Sequence, residues 1–286
     1  MGLGDWFKKT FGKQPCTFCD TQVGMLKRTK LKDKTYICND CSCGCSRYIQ
    51  RYRYTKEQLQ AHMEYMERQG KLYAQLEGKF TLVVPSATIK QSIEFYDDHG
   101  FFRIRHKDGD NRYTKELIRY DQVASYEPYL EESDPDEPGK PKEFGECGVD
   151  ITLVQPRDDL TQLPRGVRPH PYITETIRVC LNDRDRHTGE LEVNQVIHHF
   201  ETIFGLHSDT RALFGGGMTT QQRRTADAAM ALGGLFNATV QAVRTGQVTE
   251  ETAQQVQETM EKVSDAATSG LAEYTRRADA AEELVQ

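Results

Sequence analysis

The chain has 286 residues, 37% of them apolar and 28% charged, with a formal net charge of −6. That length suits about two domains, and no stretch approaches the ~20 consecutive apolar residues of a membrane-spanning helix. Collagen-like, disulfide-miniprotein and integral-membrane classes are excluded, and without an apolar leader the expected compartment is the cytoplasm.

The charge is uneven along the chain. Residues 1–56 hold twelve Lys or Arg against four Asp, a sum of +8, which leaves −14 for the remainder. Such asymmetry points to nucleic-acid or membrane contact, or simply to a small module kept in solution by lysines. Residues 1–14 form an amphipathic N-terminal segment in which Trp6, Phe7 and Phe11 alternate with Lys8, Lys9 and Lys13. They suit a peripheral attachment to the inner face of the membrane, or a helix packed on the module that follows. Gly2 is followed by Trp6 where an acylation motif needs Ser or Thr, so N-myristoylation is not expected.

Eight cysteines occur, six of them between positions 16 and 45. Cys16-Thr-Phe-Cys19 and Cys38-Asn-Asp-Cys41 are two C-x2-C knuckles, the spacing of a structural zinc site. Each knuckle converges two thiolates, and two knuckles complete a tetrahedron with Zn–S bonds of about 2.3 Å. No position remains for water, so one structural Zn2+ is expected, adding a formal −2 with its four thiolates. Cys43 and Cys45 follow at alternate positions and stand as possible alternate ligands. Between the knuckles, Lys30-Leu31, a turn at Lys32-Asp33-Lys34 and Thr35-Tyr36-Ile37 read as a hairpin. The whole is a zinc-ribbon-like module over 15–54, whose folding free energy should come mostly from metal. Cys147 and Cys180 have no cysteine neighbours in sequence and read as core residues.

A connecting helix is expected over 55–78. Thr55-Lys-Glu-Gln58 fits a capping box, and Leu59, Met63, Met66, Tyr73 and Leu76 make one apolar stripe that Gly70 interrupts. Over 79–207 the period shortens. Residues 80–84, 92–96, 101–105, 122–126, 149–154 and 174–181 read as strands, with a turn at Asp97-Asp-His-Gly100. Residues 131–143 and 156–171 read as exposed Pro-rich loops. A helix over 190–206 follows, with Val193, Val196, Ile197, Phe200, Ile203 and Phe204 on one face. Six or seven strands closed by such a helix are the layout of a pleckstrin-homology-like barrel. A Gly-rich hinge over 208–220 leads to a helical tail, 221–286, read as an Ala-rich hairpin that binds a partner, self-associates or docks on the chain's own barrel. The fold class is thus α+β and multidomain.

Several of these residues together resemble a known family. They are Met-Gly-Leu-Gly-Asp-Trp-Phe-Lys-Lys at the start, Cys16/Cys19, Lys30-Leu-Lys-Asp33, Tyr36-Ile-Cys-Asn-Asp-Cys41 and Tyr54-Thr-Lys-Glu-Gln-Leu59. The set resembles an uncharacterised bacterial family with an N-terminal four-cysteine zinc domain (domain-of-unknown-function family 4428). The resemblance covers 12–65, is looser to about 206, and stops before the Ala-rich tail. It implies zinc ligands at Cys16, Cys19, Cys38 and Cys41, a following pleckstrin-homology-like segment, and no established activity.

Catalytic signatures are missing. Gly215-Gly-Gly-Met218 lacks the Lys of a phosphate loop, and neither H-E-x-x-H nor G-x-S-x-G occurs. His198 and His199 are adjacent on a helix and point about 100° apart, a surface and a boundary position. The expected function is a non-enzymatic, zinc-stabilised adaptor or scaffold for an unidentified protein partner, with no small-molecule substrate. The rival is nucleic-acid binding through Lys27, Arg28, Lys30, Arg47, Arg51 and Arg53, because Tyr48, Tyr52 and Tyr54 interleave aromatics with the cations. Membrane attachment through Trp6, Phe7 and Phe11 is the third reading.

Overall fold

A computed structural model describes residues 12–85, 91–106, 115–133, 142–156, 167–204 and 271–285. The expectations for 1–11 and 208–270, including Trp6, Phe7, Phe11, the Gly-rich hinge and most of the helical tail, lie outside the described residues.

The N-terminal module has two short antiparallel ladders, as befits a segment with few apolar residues. β1 (Gln14–Pro15) pairs with β2 (Gln22–Val23), and β3 (Arg28–Lys30) pairs with β4 (Tyr36–Cys38). The predicted turn holds: Lys34 takes a positive φ of 72° and Asp33 accepts the Thr35 backbone N–H at 3.0 Å. A one-turn helix α1 (Asn39–Ser42) follows β4 directly.

Helix α2 (Lys56–Leu76) starts where expected. Thr55 and Gln58 cap each other reciprocally, and Asp33 of the module accepts the Lys56 N–H at 2.8 Å. Gly70 does not break it. Its buried stripe is Leu59, His62, Met66, Gln69, Leu72 and Leu76, while Met63 and Tyr73 sit at the margin. That phase brings two polar side chains inward that an apolar count passes over.

The body is built from two antiparallel sheets. One runs β5 (Leu82–Val84), β6 (Gln91–Tyr96), β7 (Phe101–His106) and β8 (Ile118–Arg119) in order; the other orders β9 (Val123–Ser133), β10 (Glu143–Leu153) and β11 (Ile177–Asn182) with β10 central. Helix α3 (Arg186–Ile203), capped by Asp185 on the Thr188 N–H at 2.7 Å, buries Val193, Val196, Ile197, Phe200 and Ile203. Phe200 meets Phe95 and Phe102 of the first sheet, each at 5.3 Å between ring centroids, and Tyr126 of the second at 4.9 Å. The helix thus joins both inner faces into one core.

The barrel expectation is corrected: among the described residues the sheets do not close. β8 has two residues and β5 three, too few to extend a ladder to the second sheet. Where β6 approaches β11, a side chain stands in for the ladder, with the Cys180 N–H donating to Gln91 Oε1 at 2.6 Å. The loop expected at 131–143 is also shorter than read. β9 continues to Ser133 and β10 begins at Glu143, because a two-stranded arm satisfies its own backbone groups even where charged side chains face water.

The outer face of the first sheet is covered twice. Leu72 and Leu76 of α2 and Ala278 and Ala281 of a C-terminal helix α4 (271–283) pack on Tyr96, Phe101 and Leu117. No described helix is long and apolar enough to cross a membrane.

Candidate metal centre and its junction with the body

Four local structures deliver four sulfurs. Cys16 follows β1, and Cys19 ends the turn that Asp20 closes with a φ of +57°. Cys38 closes β4 and caps α1, with its Sγ accepting the Cys41 N–H at 3.3 Å. The Cys38 N–H in turn donates to Cys16 Sγ at 3.3 Å, so the two knuckles orient each other. The sulfurs of Cys16, Cys19, Cys38 and Cys41 all lie within 4.8 Å of one another. Cys19 and Cys38 sulfurs are 3.7 Å apart, against the roughly 3.8 Å edge of a tetrahedron whose metal–sulfur bonds are about 2.3 Å. The residues fit a tetrahedral ion.

The electrostatics agree. Hydrogen bonding to Thr21, hydroxyl first and backbone next, pulls the Cys19 thiol down to about 6. Burial, followed by the crowding of the other thiols, pushes Cys41 well up, and burial also raises Cys38. Of the four, Cys19 is the one whose thiolate is favoured by its hydrogen bonds. Loading a metal must expel the remaining thiol protons, which makes affinity pH-dependent.

Cys43 and Cys45 stand outside this group. The Cys43 thiol donates to the Asn39 carbonyl at 3.1 Å. Cys45 is wholly buried, and burial raises its thiol to about 11 against the opposing pull of Arg51. Cys147 is buried in the core and Cys180 partly so.

The basic residues of the module are divided by the fold. Arg28 reaches inward, donating to the Gly12 carbonyl at 2.7 Å and lying 4.5 Å over the Tyr36 ring. Arg51 is half-buried, and Arg53 pairs with Glu175 of the body at 3.1 Å. Tyr48 and Tyr54 are docked too: the Tyr48 hydroxyl meets His106 Nε2 at 2.8 Å, and the Tyr54 hydroxyl donates to the Tyr172 carbonyl at 3.0 Å. Lys27, Lys30 and Arg47 are exposed. Tyr52 is exposed; Tyr48, Tyr54 and Arg53 lie along the seam between module and body, so one ring of the run, and not a row, faces out.

That seam holds a buried polar cluster with no motif to announce it. The Ser46 N–H donates to His62 Nε2 at 2.8 Å, and the Ser46 hydroxyl donates to Glu116 Oε2 at 2.5 Å. His170 Nε2 lies 3.9 Å from Glu116 Oε1 and 3.3 Å from the Tyr65 hydroxyl, while its Nδ1 accepts the Ile173 N–H at 2.9 Å. Burial raises Glu116 to about 7 and lowers His62 to about 4 and His170 to about 3. Ser46, His62 and His170 are each fully buried, so these groups bind the module to the body and offer no face to a substrate. The one readable signal was the helix phase, which carries His62 inward three residues after Leu59.

On the helix α3, His198 is exposed and His199 half-buried, with Nε2 3.1 Å from Asp97 Oδ1, the surface and boundary positions expected.

Comparison with known proteins adds one finding. Residues 14–62 match the family model described as Domain of unknown function (DUF4428). The match spans the cysteine cluster and the first turns of α2. No curated protein and no solved structure matches the chain.

Proposed function

We propose that this protein is a zinc-stabilised, non-enzymatic scaffold in which the ion holds the N-terminal module and the body presents surfaces to a protein partner. The observation that carries this reading is the closed donor set. Four cysteine sulfurs converge from two knuckles, and a tetrahedral ion they hold has no site left for water or substrate. Tetrahedral sulfur donors suit zinc or iron, and zinc is the reading taken here. The body, with a four-stranded and a three-stranded antiparallel sheet bridged by a following helix, is read as pleckstrin-homology-like and the chain as cytoplasmic. Bacterial origin belongs to the same reading. Nucleic-acid binding has less support, since Arg28, Tyr48 and Tyr54 are engaged inside the molecule. Membrane attachment through Trp6, Phe7 and Phe11 remains a reading of the sequence.

Elemental analysis of the purified full chain tests the proposal, with amide hydrogen exchange before and after a strong chelator. The expected result is one zinc per chain, whose removal deprotects 14–54. Iron, or no metal, overturns the structural zinc site and moves the cysteines to redox chemistry.

A further inference from the structure

The helix α4 is seated in an unusual way. In sequence, residues 205–270 lie between the described part of this helix and the rest of the described body. Its apolar stripe is narrow: Leu271, Tyr274, Ala278 and Ala281. Its backbone rides directly on Gly100, where an added Cβ would stand 2.1 Å from the Tyr274 carbonyl oxygen.

Charge does much of the recognition. Arg119, only 4% exposed, donates through Nη1 to Glu282 at 2.7 Å and through Nη2 to Asp279 at 2.8 Å. Arg168 adds a second bond to Asp279 at 3.0 Å. Arg277 donates to the Asp97 carbonyl at 2.9 Å and lies 3.9 Å from the Asp98 carboxylate. The helix therefore reads as a pattern: Arg277-Ala278-Asp279-x-Ala281-Glu282, a cation, then two acids one turn apart, with small residues against the sheet.

The seat is compensated without its occupant. Arg119 Nε and Nη2 also grip Asp121 at 2.9 and 2.8 Å, a bidentate pair inside the body itself. Removal of α4 leaves no buried charge alone, which is the costly outcome for an ion pair. What remains at the clamp is Arg119 and Arg168 against Asp121, a net +1 for these three, beside the apolar face of Tyr96, Phe101 and Leu117. Such a surface takes an amphipathic helix by its small face and acidic edge.

We propose that this seat is an exchangeable helix-docking site for a partner protein carrying a small-faced acidic helix of this pattern, and that residues 271–285 are its built-in competitor. The inference names the partner class within the scaffold reading above. A tethered occupant lowers the apparent affinity for any external helix by the fraction of chains whose seat is filled. A partner must outbid it.

The test uses the full chain and a fluorescent synthetic peptide spanning residues 268–286, read by anisotropy. Wild type should bind the peptide weakly. D279R/E282R, whose own helix is repelled by Arg119 and Arg168, should bind it at least tenfold more tightly, and adding R119E to that variant should abolish the gain. Should the double reversal fail to fold, D279N/E282Q keeps the side-chain shapes and should still bind at least threefold more tightly than wild type. In wild type, hydrogen exchange of 271–285 should be faster than that of α3. Equal peptide affinity in wild type and the folded variant overturns the proposal, as does exchange of α4 as slow as that of α3; the helix is then a permanent part of the fold. Metal content is untouched by either outcome, so failure here is distinct from failure of the zinc-held scaffold.

Discussion

The N-terminal module and the sheet body solve the same problem by different means. The module's strands are two or three residues long, and its buried apolar side chains are no larger than Val23, Leu31, Ile37 and Ile49. The body has strands of up to eleven residues and buries Tyr96, Tyr120, Tyr126, Phe95, Phe101, Phe102 and Phe200. Aromatic burial and long ladders stabilise the body. On the proposed zinc reading the module draws instead on metal ligation, whose apparent free energy in small zinc peptides is about 10–16 kcal/mol at neutral pH. Yet the two are not beads on a string. Their buried residues form one continuous cluster, and Ser46, His62, Glu116 and His170 tie them with polar bonds.

The sharpest way to break this contrast is to remove a ligand. Cys38→Ser should abolish the bound equivalent of metal and strip exchange protection from 14–54, while β9, β10 and β11 keep theirs. Protection persisting across the module would mean that the shared core, and not the ion, holds it.

The seam should report pH. Glu116 is raised to about 7, so the folded state holds its proton more tightly than the unfolded state. Its contribution is present below about 4.5 and lost as pH rises through 7, a difference on the order of 3 kcal/mol at most. His62 and His170 are lowered to about 4 and about 3, so the folded state rejects their protons and stability is lost as pH falls below about 6.5. Two histidines outweigh one carboxyl on the acid side, and stability should peak near pH 6.5. E116Q should gain stability above pH 7 and change little near pH 4.5. Thermal melts across pH that run parallel for the two proteins would sink this account.

A third test addresses the body alone. An added Cβ at Gly148 would meet the Val179 carbonyl oxygen at 1.9 Å and the Tyr129 ring at 2.8 Å. Gly148→Ala should cost about 1–3 kcal/mol or more by overpacking, seen as a lower denaturant midpoint with metal content unchanged. Loss of metal in that variant would show the module leaning on the body more than its ligands suggest.

The smallest effect is expected at the exposed lysines. K27E/K30E should leave stability within about 0.5 kcal/mol of wild type. Binding to a single-stranded oligonucleotide should be absent in both at low salt. A steep salt-dependent affinity lost in the variant would revive the nucleic-acid reading.

Much of the architecture was legible because local chemistry dictates it. Paired C-x2-C knuckles marked the four sulfurs that converge, since each knuckle is a local turn. The capping box placed the start of α2, and the stripe from Val193 to Phe204 placed α3. Glu116, Ser46 and His170 left no trace, for they lie 70 and 54 residues apart in sequence and become neighbours only when the module meets the body. The Arg/Tyr run at 47–54 was legible as composition and opaque as function, because which side chain faces a partner depends on what covers it.

By itself, then, the sequence determined the metal-ready cysteine cluster, the capped start of α2, the buried face of α3 and the turn at Gly100. All of these follow from interactions within a few residues or from fixed thiol spacing. Only the tertiary structure decided that the sheets do not close among the described residues, that much of the basic run becomes a seam, and that residues 271–285 lie on Arg119. Those outcomes depend on long-range packing and on the cost of burying charge, which no local pattern encodes.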